Sequence, residues 1–121
     1  YANVYAVVAL GVGGSWHQAT AQGQQFETFA QWCENRETLT SDARHTVEVL
    51  LREVETEDCQ LAEEQLTNLT SLNLGENQIK DITPLSSLTN LTWLKLWGNP
   101  KLTNKTCPVE PSSICIFEPS E

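Results

Sequence analysis

LTNLTSLNLGEN, residues 66–77, recurs 22 positions later as LTNLTWLKLWGN, residues 88–99, and the two stretches agree at eight of twelve positions. Each copy carries the pattern L-x-x-L-x-L-x-x-N: Leu69, Leu72, Leu74 and Asn77 in the first, Leu91, Leu94, Leu96 and Asn99 in the second. Self-similarity at a fixed period marks a chain of stacked units, each too small to bury its own apolar face. Leu-x-Leu is the period-two alternation of a short strand with both leucines on one side. The Asn that follows carries an amide able to satisfy backbone groups where the chain leaves the strand, so stacked units would line these Asn into a ladder. Ile79, Ile82, Leu85 and Leu88 supply the apolar contacts of the return segment, and Pro84 stops a regular strand there. The pattern predicts an α/β repeat fold: a short solenoid over residues 66–104, with parallel strands on its concave face.

Upstream, the apolar period lengthens. Phe26, Phe29, Ala30 and Cys33 recur at helical spacing, and so do Ala43, Val47, Leu50, Leu51 and Val54. TLTSD interrupts the two runs and offers Thr40 or Ser41 as an N-cap, with Asp42 in the positive field of the first turn. These residues predict an α-helical hairpin over residues 24–65. Arg44, Glu48, Arg52 and Glu55 alternate along the second helix as a solvated face with weak ion pairs. VETEDCQ lacks the closely spaced Asp and Asn and the Gly of a calcium loop.

Two repeats are fewer than a stack normally needs, so the flanking segments must cover its open ends. Phe26, Phe29, Trp32, Val47, Leu50, Leu51 and Val54 are therefore assigned to the amino-terminal cover, and Val109, Ile114, Ile116 and Phe117 to a carboxy-terminal plug over residues 105–121. Four cysteines allow three pairings. Local loop closure favours Cys33 with Cys59 and Cys107 with Cys115, the latter closing a loop that holds Pro108 and Pro111. A metal site is not expected, because Cys-x-x-Cys spacing is missing and His17 and His45 lie apart from the cysteines.

The balance of 16 Asp and Glu against 7 Lys and Arg repels phosphate backbones and argues against nucleic acid as a partner. Eleven of those acidic residues, against three Arg, lie between Phe26 and Leu66, so the acidity belongs to the helical half. YAVVALGVGG, residues 5–14, is an apolar run of signal-peptide length, and Ala19–Ala21 offers a cleavage site, which assigns residues 1–21 to a signal-like segment and 22–121 to the folded unit. The run is too short to span a bilayer, which takes about 20 apolar residues. A buried strand or helix is the competing reading. Paired cysteines and a signal-like segment together predict an extracytoplasmic protein.

LTNLTSLNLGENQIKDITPLSSLTNLTWLKLWGNP resembles the 22-residue repeats of internalin-like bacterial leucine-rich-repeat proteins, including the ITPL return segment at residues 82–85. The helical segment before it and NKTCPVEPSSIC after it resemble the caps that secreted members place over the ends of the stack. The resemblance implies a non-catalytic module, without cofactor, that binds another protein through its concave strand face. It departs from the family in having two repeats, and in having neither an immunoglobulin-like domain nor a cell-wall anchor after them.

Alternation assigns that face directly. With Leu94 and Leu96 inward, Trp93, Lys95 and Trp97 point outward, beside Ser71, Asn73 and Gly75 of the first repeat. The candidate ligand-binding residues are Ser71, Asn73, Trp93, Lys95 and Trp97. Two Trp flanking a Lys suit a protein ligand, or a glycan if the chain is instead a carbohydrate-binding or structural envelope protein. The competing structural role is burial of both indoles under the segment from Pro100 to Phe117. Asn68, Asn90 and Asn104 each open an N-x-T sequon, but the first two recur only because the repeat recurs. No nucleophile, base and acid fall into a recognisable set: Cys33 and His45 form no thiol-base motif, and Cys33 has a disulfide partner available.

Overall fold

The strand register in the computed structural model, which describes residues 26–119, reproduces the offset of the sequence. Strand β1 (Ser71–Asn73) pairs in parallel with β2 (Trp93–Lys95), placing Ser71 opposite Trp93, Leu72 opposite Leu94 and Asn73 opposite Lys95. Equivalent residues of the two repeats therefore stack on one another. Parallel neighbours require a crossover, which here is the return segment with a single 3-10 turn at Thr83–Leu85, opened by Pro84. Leu72, Leu74, Ile79, Ile82, Leu85, Leu88, Leu91, Leu94 and Leu96 are all buried, as the pattern requires.

Asn99 is 5% exposed and uses its amide in full. Its Oδ1 accepts from the N–H groups of Asn77 (2.9 Å) and Ile79 (3.0 Å), and its Nδ2 donates to the carbonyls of Leu96 (2.6 Å) and Leu74 (3.1 Å). One side chain thus binds the turn of its own repeat to the turn of the repeat before it. Asn77 has no earlier repeat to reach. It is half-buried, with Nδ2 donating to Gly75 O (3.2 Å), and its own carbonyl accepts from His45 Nε2 (2.7 Å) of a helix.

That helix belongs to a group of three, where the sequence predicts a hairpin of two. α1 is Phe29–Glu34, α2 is Ser41–Val54, and α3, Cys59–Thr67, is a third helix that runs from the end of the expected hairpin interval into the first residues of the repeat. Thr28 caps α1 in a reciprocal box with Gln31, Thr40 caps α2 by accepting from Ala43 N, and Asp58 caps α3 by accepting from Gln60 N and Leu61 N. The arginine–glutamate face of α2 makes no ion pair within itself among the described residues; Arg44 Nε donates instead to Arg36 O (3.1 Å). Exposed pairs on a helix contribute only a few tenths of a kcal/mol, so one backbone carbonyl suffices to redirect the guanidinium.

The helices share one core with the repeats. Phe29, Trp32, Val47, Val49, Leu50, Leu51, Ala62 and Leu66 pack in the same apolar cluster as the repeat leucines, with Phe26 and Val54 partly buried at its margin. Polar contacts fix the docking: Thr46, fully buried, donates to Asp81 O (2.6 Å), and Lys80 sits 3.7 Å from Asp42. The bond between Cys33 and Cys59 joins α1 to α3, and Glu63 Oε1 accepts from Ala30 N across the same pair.

The carboxy-terminal segment does more than plug. Cys115–Ile116 forms β3, parallel to β2, with Leu94 opposite Cys115 and Lys95 opposite Ile116. Cys115 occupies the inward column of Leu72 and Leu94, and its bond to Cys107 closes the connecting loop. Val109 and Ile114 are buried and Ile116 and Phe117 half-buried. The signal-like segment lies outside the described residues. No described helix is long and apolar enough to cross a membrane.

Replacing Asn99 by Ala strands two amides and two carbonyls in a dry turn, at about 1–3 kcal/mol per unsatisfied group. Asn99→Ala should cost at least about 3 kcal/mol in urea unfolding, whereas Asn77→Ala, at a half-buried site, should cost less than half of that. Converting both Cys33 and Cys59 to Ser should lower stability by about 2–4 kcal/mol, read by the same titration.

Candidate functional site

The outward side of the sheet collects the residues that the leucine alternation sends away from the core. Ser71 and Asn73 are exposed on β1; Trp93 and Lys95 face the same way on β2, directly opposite them; Trp97 follows two residues beyond. Asn73 is held by its own turn, its Oδ1 accepting from Gly75 N (3.0 Å), which leaves Nδ2 directed to solvent or ligand.

Lys95 and Trp97 act as a unit. The ammonium lies 3.9 Å from the centre of the Trp97 ring, within range of a cation–π contact. The long side chain reaches that position by lying across Gly75: a Cβ there would stand 2.7 Å from Lys95 Cε and 2.9 Å from Trp97 O. Gly75 is thus the floor of a trough cut for the lysine stem.

The two tryptophans differ. Trp93 is 40% exposed and, with Leu61 on α3, is one of two large apolar side chains left open among the described residues. Trp97 is half-buried and forms one wall of a cavity of about 370 Å³ completed by Pro100, Leu102, Phe117 and Pro119. The segment from Pro100 onward therefore shelters Trp97 and leaves Trp93 open.

Lys95 is the only charged side chain that the strands themselves place on this face. Glu118, beyond β3, is tied to Lys105 at 3.1 Å, and Glu76 lies at the turn against Gly98, whose φ of +92° suits glycine there. All four cysteines are bonded: Cys33 pairs with Cys59, and His45 is engaged with the Asn77 carbonyl. All three sequon asparagines have backbone work: Asn68 donates to Glu64 O (2.9 Å), Asn90 donates to Thr67 O (2.6 Å), and Asn104 Oδ1 accepts from Thr106 N (3.2 Å).

With that geometry in place, a family model described as Leucine Rich repeats (2 copies) matches residues 67–106. That match spans about a third of the chain. Such repeats generally mediate protein–protein binding. No curated protein and no solved structure matches the chain. The leucine-rich-repeat match begins within the last residue of α3 and ends just before Cys107, so it takes in β1 and β2 with their return segments and leaves the helices and β3 outside.

Sequence alternation alone could not find the trough at Gly75, because the lysine's path across the sheet is a matter of side-chain reach. Gly75→Ala should drive Lys95 off Trp97 and, because a backbone carbonyl also crowds the new methyl, cost about 1–3 kcal/mol. The upfield ring-current shift of the Lys95 ε-methylene protons, measured by NMR, should collapse towards its free value in the variant.

Proposed function

We propose that the chain is a non-catalytic protein-binding module of internalin-like bacterial type, exported from the cytoplasm, whose ligand contacts Ser71, Asn73, Trp93, Lys95 and Trp97. The observation that carries this reading is Trp93: an indole 40% open to water, on the outward face of a repeat sheet, beside a stacked Lys–Trp pair. Aromatic side chains of this kind supply most of the binding energy where protein surfaces meet. Export is supported by the pairing of all four cysteines, which an oxidising compartment permits, and by the signal-like segment at residues 5–21. The second reading, a carbohydrate-binding envelope protein, draws on the same open indole as a stacking platform.

Trp93→Ala should leave the melting temperature within about 2 °C of the parent while weakening the ligand by more than about 1 kcal/mol, roughly fivefold or more. A photo-crosslinking side chain placed at Asn73, in cells of the natural host, should give discrete protein adducts that the same group at Glu48 on α2 does not. Equal labelling from both positions would sink the assignment of this face, and retention on a glycan array that depends on Trp93 would replace the protein ligand by a sugar.

A further inference from the structure

We infer that the outward sheet face is built to seat a single carboxylate, an Asp or Glu side chain of the partner protein, on Lys95 between Trp93 and Trp97. This rests on the face being the protein-binding surface, and adds the chemistry of what it recognises.

An ammonium carries three N–H donors. Lys95 Nζ is placed by the Trp97 ring at 3.9 Å and by the trough at Gly75, and no carboxylate or carbonyl of the described residues satisfies those donors. A ring face attracts a cation without consuming its hydrogens, so the group is fixed in position and still able to donate. Of the other lysines in and after the repeats, Lys105 is paired with Glu118 at 3.1 Å and Lys80 with Asp42 at 3.7 Å, while Lys101, past the end of β2, has no ion pair among the described residues and no ring to hold it. In register with Lys95, the Nδ2 of Asn73 supplies a neutral donor at the same level of the sheet, since its Oδ1 is taken by Gly75 N. Donors without acceptors, flanked by apolar rings that thin the surrounding water, favour an anion.

Magnitude sets how much negative charge fits. The chain carries a net charge of −9 and concentrates eleven carboxylates between residues 26 and 66, so a polyanion or an acidic run would be repelled by the helices beside the sheet. One lysine balances one carboxylate. The partner segment is therefore one acidic residue with apolar neighbours, the latter covering the open ring of Trp93.

An array of random nine-residue peptides, each printed in three forms that differ only in a central Glu, Gln or Lys, tests this with the full chain. The Glu forms should be retained about tenfold more strongly than their Gln twins, and the Lys forms not at all. Lys95→Met, which keeps the aliphatic stem over Gly75, should erase the difference between Glu and Gln, Lys95→Arg should keep it, and Trp93→Ala should weaken both forms alike. Glu and Gln forms retained equally by the parent chain, or a Glu preference that survives in Lys95→Met, would overturn the carboxylate site. If that equal retention still depends on Trp93, the protein-binding face stands and only its proposed chemistry falls; retention indifferent to Trp93 and Lys95 together overturns both.

Discussion

The side chain of Asn99 is the interaction on which the remaining geometry depends. A parallel sheet of strands two or three residues long has few ladder bonds to hold its turns, and the chain leaves each repeat strand through a corner where backbone groups would otherwise be orphaned. Four hydrogen bonds from one buried amide close that corner and set the spacing of the two repeats. Because the amide reaches backwards, to Leu74, Asn77 and Ile79, each repeat depends on a predecessor. The first has none, and the helical segment stands in: His45 meets the Asn77 carbonyl and Thr46 meets that of Asp81.

The same dependence explains why so small a stack can hold together. Two coils expose two apolar ends. Helices α1 to α3 bury one under Phe29, Trp32, Leu50 and Leu66; β3 and the Cys107–Cys115 loop bury the other under Val109 and Ile114. The interior is continuous from Trp32 to Ile114, and the outward face of the sheet lies directly over its buried leucines.

Periodicity made the repeats legible, and with them the inward leucines, the asparagine positions and the outward set from Ser71 to Trp97. Loop closure made both disulfides legible. Helix α3 was hidden because only Ala62 and Leu66 of its residues are buried, too sparse a stripe to register, and because its end overlaps the leucines and threonines that open the repeat. Strand β3 was hidden for the opposite reason: Cys115 occupies a leucine column, so the L-x-L signal is missing where the third strand forms. At Arg44 the ion pair expected along α2 gave way to a nearby carbonyl, which a one-dimensional spacing cannot show. Of the candidate face, positions could be read but depth could not, since the difference between an open Trp93 and a sheltered Trp97 is made by the path of the segment from Pro100 to Pro119.

The agreement between the 22-residue sequence offset and the β1–β2 register has a consequence for how such a chain can change length. A tandem copy of residues 78–99 would carry its own strand, its own Pro-containing crossover and its own Asn, and every hydrogen bond it needs from its neighbour is one that residues 77–99 already make. Inserted after Asn99, it would widen the sheet by one strand while leaving the helices and the disulfide-closed end to dock on surfaces they already fit. Duplication of 66 base pairs in frame is therefore a single genetic step that enlarges the outward sheet face without a new folding solution, and the number of repeats becomes a quantity that can change in whole units.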